Sequence, residues 1–224
     1  MSAIIKNKLF LAVVGVGIIL IVIASAFILT YQQPVKLANL GSASNFKLVD
    51  QDNNNVTLNN YTGKVLVIDF IYSHCTDMCP IETAKMNTLL TQLQDAGYNS
   101  NQFHFISISF DYKFDNATTM KAYATDRAEG QFQYWSFLSG TKDNVLNVTK
   151  AYGNYGYYLN TTVNNTTVPV MTSQPLANNT IDYMTHNLVL TIIDSQGIRR
   201  DAIVGAGWPS NDVFKIIKTL IKME

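Results

Sequence analysis

An uninterrupted apolar run, VLVIDFIY at residues 65–72, constrains the fold more than any other feature of the chain. A half-buried strand alternates apolar and polar residues, whereas a run of β-branched and aromatic residues is typical of a strand buried on both faces. Directly after it, apolar residues recur near the helical period over residues 81–93, until Gly97, a residue type that commonly ends helices. A buried strand that leads into a helix predicts a sheet covered by helices.

The rest of the chain continues this alternation of strands and helices. The patterns predict a hairpin at residues 46–58, strands at 103–110 and 135–138, helices at 117–128 and 142–152, a strand at 188–193 opened by His186, a returning strand at 200–204 and a last helix from Ser210. This order predicts an α/β fold with a thioredoxin-like mixed sheet flanked by helices, over residues 46–224. Residues 153–181, which are polar and aromatic, interrupt the pattern and are predicted to be an inserted hairpin or long loop.

The N-terminal segment is predicted to anchor the chain in a membrane. Residues 9–31 carry no charge, and a helix that rises about 1.5 Å per residue over this length crosses a hydrocarbon core of about 30 Å. Lysines precede it, so the positive-inside rule places residues 1–8 in the cytoplasm and the domain outside, as in a single-pass protein of the cell membrane. Small residues at 24–26 offer a cleaved signal peptide as the alternative. Residues 32–45 lack periodicity and are predicted to be a linker.

The balance of charge excludes one class of partner. Lys plus Arg and Asp plus Glu are 16 each, so no basic field attracts nucleic acid. The function must therefore be sought in local chemistry.

Cys75 and Cys79, the two cysteines of the chain, lie where the buried strand turns into the helix. A helix N-terminus that begins at Pro80 supplies unpaired N–H groups and partial positive charge, which favour thiolate over thiol. Asp77 opposes this effect through its negative charge but favours a bound cation. A structural disulfide is a further alternative, although it closes so short a loop that it stabilises the fold little. The residues alone leave redox chemistry and metal binding open.

The segment around these cysteines, GKVLVIDFIYSHCTDMCPIETAKMNTL at residues 63–89, resembles the central motif of the Sco/SenC family. Members of this family are membrane-anchored thioredoxin-fold copper proteins of cytochrome c oxidase assembly, and their signature is CxxxCP after a strand. Three further pieces match in order, at residues 106–124, 135–153 and 182–197, and the last carries a histidine before a strand. The resemblance extends from about Phe46 to the C-terminus.

The resemblance implies a copper site whose ligands are Cys75, Cys79 and His186. Two soft thiolates and one imidazole suit Cu(I) and also tolerate Cu(II), and three ligands leave a position open for handing the ion on. His186 is expected to open its strand at the place where thioredoxin-type enzymes carry a cis-proline opposite their cysteines. Thr76 and Thr185 depart from the residues that the family often has, which bears on the geometry of the third ligand.

The two other histidines are not predicted to be ligands. His104 alternates with phenylalanines in a strand, which indicates a structural role. His74 adjoins Cys75, but neighbouring side chains usually point in different directions, so a tuning role or none is expected. Tyrosines at residues 152, 155, 157 and 158 are expected either to cover an edge of the core or to bind a partner.

The resemblance implies a copper-binding metallochaperone that serves the dinuclear copper centre in subunit II of a haem-copper oxidase. The redox state of the cysteine pair would gate copper loading. The further partners of such a metallochaperone would be another copper chaperone or a thiol reductant. The alternative is a membrane-tethered thiol–disulfide oxidoreductase in which Cys75 attacks and Cys79 resolves. A tethered redox or copper sensor is a third interpretation.

Overall fold

The computed structural model describes residues 11, 13–25, 35, 37–154, 156–163, 166–170 and 184–223. For residues 156–163, 166–170 and 184–186 it describes the backbone only. The chain divides into two compact units, Met1–Lys36 and Leu37–Glu224.

In the first unit, residues 13–25 form a helix, α1. Among the helices in the described part of the chain, none combines the length and the apolar character needed to cross a membrane. The predicted span, residues 9–31, lies partly outside the described residues, so the membrane anchor stays a prediction.

The second unit contains ten strands, four α-helices and one short 3-10 helix (Leu58–Tyr61) among its described residues. The strands are β1 (Lys47–Val49), β2 (Asn55–Thr57), β3 (Val65–Ile71), β4 (Phe103–Ser109), β5 (Trp135–Leu138), β6 (Gly156–Val163), β7 (Thr166–Val170), β8 (Met184–His186), β9 (Val189–Ile193) and β10 (Arg199–Val204). The helices are α2 (Met78–Asp95), α3 (Ala117–Arg127), α4 (Lys142–Ala151) and α5 (Ser210–Lys222).

Five strands form the central sheet, in the order β10-β9-β3-β4-β5. Strands β3, β4 and β5 are parallel, while β9 runs antiparallel to β3 and to β10. Every residue of β3 and β4 is buried, as expected for strands covered on both faces. The predicted mixed sheet flanked by helices is confirmed, with a thioredoxin-like order of elements.

The sheet topology brings distant parts of the chain to one end of the sheet. Strand β9 pairs with β3 so that Ile68 lies opposite Thr191. Carried to the start of β9, this antiparallel register sets Val189 level with Phe70, next to the last residue of β3. The turn after β3, which leads to the cysteines, and the connection from β8 to β9 therefore share one end of the sheet.

A second sheet, in the order β7-β6-β8, is built from the inserted region. Strands β6 and β7 pair antiparallel, with Asn160 opposite Pro169, which agrees with the hairpin alternative for the described residues 156–163 and 166–170. Strand β8 pairs with β6, and Gly156 lies opposite His186. The expectation that His186 opens the strand at 188–193 is wrong, because pairing with the insertion makes His186 the last residue of a separate strand.

The later part of the predicted linker at residues 32–45, from Leu37 onward, belongs to the second unit. Ala38 and Leu40 donate backbone hydrogen bonds to the carbonyls of Arg200 and Arg199, at 3.2 and 2.9 Å. These contacts begin before Phe46, where the domain was predicted to start. The domain limits otherwise stay a prediction.

Tyr152 belongs to the core rather than to a partner surface. Its side chain is 3% exposed, and its hydroxyl donates to the carbonyl of Ser44 at 2.8 Å. The side chains of the other three tyrosines in that cluster lie outside the described ones.

His104 has the structural role predicted for it. Its Nε2 lies 2.8 Å from Ser136 Oγ, and its ring stacks on Tyr61 at 5.0 Å between centroids. Burial, with the charge of Lys64, lowers the pKa of His104 to about 3, so the ring is neutral in the folded chain.

We expect His104 to make the fold less stable as the pH falls from 6.5 toward 3. Over this range the unfolded chain takes up a proton that the folded chain does not, which costs up to about 1.4 kcal/mol per pH unit. Urea unfolding at a series of pH values should therefore show a shallower loss of stability for His104→Gln than for the original chain. His74→Gln is the matched control, since that ring is exposed. Equal slopes for the original chain and His104→Gln would contradict the expectation.

Candidate metal centre

Both cysteines are buried at the junction of β3 and α2, and no disulfide joins them. Cys75 is 5% exposed and Cys79 is 0% exposed. The backbone N–H of Cys75 donates to the carbonyl of Tyr72 at 3.2 Å, which closes the turn after β3. The backbone N–H of Cys79 donates to Cys75 Sγ at 3.3 Å. The first turn of a helix therefore directs an N–H group at one sulfur, an arrangement that stabilises a thiolate.

Helix α2 begins earlier than the sequence predicts. It starts at Met78 rather than at Pro80, with Asp77 as the preceding cap residue, so Cys79 lies within its first turn. Pro80 is tolerated because an N–H group in the first turn has no partner within the helix. The Asp77 side chain makes no capping hydrogen bond, so it does not compete with Cys75 for the donor on Cys79.

The two sulfurs are in different environments. Burial raises the pKa of the Cys79 thiol well above its usual value, and the hydrogen bond with Cys75 and the charge of Cys75 raise it further. The sulfur of Cys75, by contrast, accepts a hydrogen bond from the backbone N–H group of Cys79 in the first turn of the helix. Cys79 therefore holds its proton at neutral pH until a cation or a disulfide displaces it.

Asp69 is a buried acid near this site that the sequence analysis missed. It lies within β3, is 1% exposed, and accepts a hydrogen bond from Ser107 Oγ at 2.5 Å. Burial, with the charge of Glu82, raises the pKa of Asp69 to about 8, so this carboxyl is protonated at neutral pH. The available signal was its position as the one charged residue within VLVIDFIY.

We expect Asp69→Asn to become more stable than the original chain as the pH rises from 4 to 8. In this range the unfolded chain releases the Asp69 proton while the folded chain retains it, so stability declines by up to about 1.4 kcal/mol per pH unit. An amide, which does not titrate, removes that decline. Urea unfolding at pH 5, 6, 7 and 8 measures the effect, with the exposed Asp126→Asn as control. A difference between Asp69→Asn and the original chain that stays constant with pH would exclude this explanation.

A second polar cluster anchors the start of the cysteine turn. Asp115 accepts hydrogen bonds from the backbone N–H of Ser73 at 2.9 Å, from Ser73 Oγ, and from Ser109 Oγ at 2.5 Å. His74, Asp111 and Asp115 hold potential ligand atoms within 4.8 Å of one another. The serine hydrogen bonds explain the burial of Asp115, so we assign it the structural role of tying the cysteine turn to the end of β4.

The fold brings two of the three predicted ligands together and places the third at the same end of the sheet. Cys75 and Cys79 are in contact through the hydrogen bond described above. His186 ends β8, next to the connection that runs level with the turn after β3. Its side chain lies outside the described ones, so its role as a ligand stays a prediction.

Comparison with known proteins identifies the family of the chain. The family model described as SCO1/SenC matches residues 37–221. The SCO1 protein homolog of Bacillus subtilis is 33% identical over 95 residues, which are 42% of this chain and 47% of that protein. The chain thus spans about half the length of this relative.

Solved structures show the same fold. A structure of Arabidopsis thaliana ScoI with copper bound has a TM-score of 0.63 at 18% identity, and the match covers 82% of this chain and 100% of that one. A structure that identifies a disulfide switch in BsSco, a member of the Sco family of cytochrome c oxidase assembly proteins, has a TM-score of 0.63 at 22% identity, over 86% and 100% of the two chains. Since the family model covers most of the sequence and the cysteine motif lies within the match, the chain belongs to the SCO1/SenC family.

Proposed function

We propose that this protein binds copper through Cys75, Cys79 and His186 and carries it to the dinuclear copper centre in subunit II of a haem-copper oxidase. The observation that carries the proposal is the pair of buried cysteines in contact at the first turn of α2. Copper in the structure of Arabidopsis ScoI supports the choice of metal. The membership of BsSco among cytochrome c oxidase assembly proteins supports the choice of pathway.

The donor set fits copper, which is the cargo of the reaction. Thiolate sulfur is a soft ligand that favours Cu(I), and imidazole binds both oxidation states of the metal. Cys79 must lose its proton to bind, so copper loading releases protons and tightens as the pH rises. A site with three protein ligands keeps a position at which a target protein attacks the ion.

The redox state of the cysteine pair gates loading in this proposal. Oxidation joins Cys75 Sγ to Cys79 Sγ, and two electrons and two protons pass to a disulfide acceptor. The bridged sulfurs are no longer thiolates, so copper is not retained. A thiol reductant restores the binding form. The disulfide switch identified in BsSco supports this part of the proposal.

Residues 9–31 anchor the protein in the cell membrane in this proposal, with the copper domain on the extracytoplasmic side. The uncharged N-terminal segment and the lysines before it support this arrangement. Protease is added to cells before and after the outer face of the cell membrane is made accessible. We expect the copper domain to be cleaved once that face is accessible.

A transfer experiment tests the proposed function. The full chain in detergent is reduced, loaded with Cu(I), and mixed with a metal-free, reduced subunit II domain, and copper is measured in each protein after separation. We expect copper to move to subunit II from the original chain. Retention of all the copper on this protein would contradict the proposal.

The contact between Cys79 N–H and Cys75 Sγ also favours a second function, the reduction of disulfides in subunit II. In that reaction Cys75 thiolate attacks the target disulfide and Cys79 then displaces the target. The metal-free, reduced chain and oxidised subunit II distinguish the two functions. Repeated turnover with a thiol reductant would favour the oxidoreductase.

A further inference from the structure

Glu82, Lys85 and Trp208 join helix α2 to residues 205–208, and we name these three side chains the α2 clamp. Trp208 Nε1 donates to Glu82 Oε1 at 2.8 Å, and these residues are 3% and 2% exposed. Lys85 Nζ donates to the carbonyl of Ala206 and, at 3.2 Å, to that of Trp208. The same ammonium lies 5.2 Å from the centroid of the Trp208 ring.

Burying a carboxyl group in order to hold a tryptophan in place costs free energy. Burial raises the pKa of Glu82, while the hydrogen bond from Trp208 and the charge of Lys85 lower it. In the described part of the chain, Glu82 Oε2 has no hydrogen-bond partner, which is unfavourable for a buried oxygen. An apolar side chain in place of Glu82 or Trp208 would be buried at a smaller cost in free energy. The hydrogen bond gives the Glu82 and Trp208 side chains a defined relative orientation, because a hydrogen bond fixes the angle between its partners.

The other end of residues 205–208 holds the chain that follows His186. The backbone N–H of Gly205 donates to the carbonyl of Leu188 at 2.8 Å. Gly205 has a φ of +85°, a conformation that residues with a side chain rarely adopt. Leu188 comes two residues after His186.

The contacts therefore run from the helix that carries Cys79 to the connection that follows the strand of His186. Glu82 lies one helical turn after Cys79 on α2, and Lys85 lies a further turn along. From there the clamp reaches Trp208 and Ala206, and Gly205 reaches Leu188.

We propose that the α2 clamp sets the position of His186 relative to the cysteines, so that Glu82 and Trp208 are positioning residues of the copper site. This inference rests on the proposed function, since it requires His186 to be a ligand. A residue that orients a metal ligand typically changes metal affinity by about 10–100-fold when it is replaced.

A double-mutant cycle in the full chain tests the inference. Cu(I) affinity is measured by competition with a chromophoric chelator for the original chain, Trp208→Phe, His186→Ala and the double variant. We expect Trp208→Phe to weaken affinity about 10-fold in the original chain. In the His186→Ala chain we expect no further loss, because the ligand that the clamp positions is already gone.

Conservative and unrelated variants separate positioning from general destabilisation. Glu82→Gln keeps an oxygen that accepts from Trp208 and should hold affinity close to the original, whereas Glu82→Leu should match Trp208→Phe. Ser136→Ala is the control, since it removes the buried hydrogen bond of 2.8 Å between Ser136 in β5 and His104 near the start of β4, away from the cysteines. It should leave affinity unchanged although it lowers the urea midpoint.

The outcomes distinguish this inference from the proposed function. Equal losses for Trp208→Phe with and without His186 would overturn the inference and leave the clamp a structural feature. The same conclusion follows if Trp208→Phe and Glu82→Leu both keep the original affinity while His186→Ala weakens it. If His186→Ala itself changes nothing, the three-ligand site is wrong and the inference fails with it.

Discussion

Replacement of Cys79 by serine should reduce Cu(I) affinity by more than about 100-fold. Even a residue that only orients a ligand changes affinity by about 10–100-fold, and Cys79 would supply one of two soft donors directly. A serine hydroxyl at the same place is a hard, weak donor for Cu(I). The measurement is a chelator competition with the reduced full chain, together with copper analysis after gel filtration.

Folding must be controlled in this experiment, because Cys79 is fully buried. A buried hydroxyl without a partner costs about 1–3 kcal/mol, so Cys79→Ala is made in parallel and both variants are examined by urea unfolding. Cys75→Ser should show a loss of the same size. Copper retained at one ion per chain with unchanged affinity in a folded cysteine variant would exclude the replaced sulfur as a ligand.

Replacement of His186 by alanine should weaken Cu(I) binding by at least about 10-fold and change the spectrum of the Cu(II) form. Two thiolates alone still bind Cu(I), so the loss is smaller than for a cysteine variant. The spectrum changes because an imidazole nitrogen leaves the coordination shell. Affinity is measured as for the cysteine variants, and electron paramagnetic resonance reports the nitrogen in the Cu(II) form.

His74→Ala is the matched control, since it removes an imidazole next to Cys75. The His74 ring is exposed, and its Nδ1 lies 3.0 Å from Ser73 Oγ. A loss in His74→Ala together with no loss in His186→Ala would mean that the third ligand had been assigned to the wrong histidine.

The sequence predicts the centre of this fold well because the signals there are local. The run at residues 65–72 is long and apolar enough to indicate a doubly buried strand, and all seven residues of β3 are buried. Gly97 was expected to stop the following helix, and it adopts a φ of +84° directly after the helix cap. Both features depend on neighbouring residues alone.

Features that depend on distant pairing were missed or misplaced. His186 was expected to open β9, yet pairing between β8 and the inserted β6 places it in a separate strand. The hydrogen bond between Glu82 and Trp208 links residues far apart in the chain, and no spacing rule predicts it. The backbone hydrogen bond from Ala38 to Arg200 in β10 could not be predicted either, since residues 32–45 have no periodicity of their own.

The candidate site likewise has one feature that the local sequence predicts and another that depends on distant residues. The motif predicts that the two cysteines lie together, because four residues at the start of a helix span a single turn. Their unequal environments could not be predicted, since the proton on Cys79 is held by burial and by the hydrogen bond with Cys75. Tertiary packing, rather than the motif, gives each sulfur its character.

X-ray absorption at the copper K-edge tests the three-ligand site most directly. The reduced full chain is loaded with one equivalent of Cu(I), and the spectra of the original chain and His186→Ala are compared. We predict two sulfur neighbours and one imidazole nitrogen in the original chain, with the nitrogen lost and both sulfurs kept in His186→Ala. A sulfur-only shell in the original chain, or a nitrogen that persists in His186→Ala, would contradict a copper site formed by Cys75, Cys79 and His186.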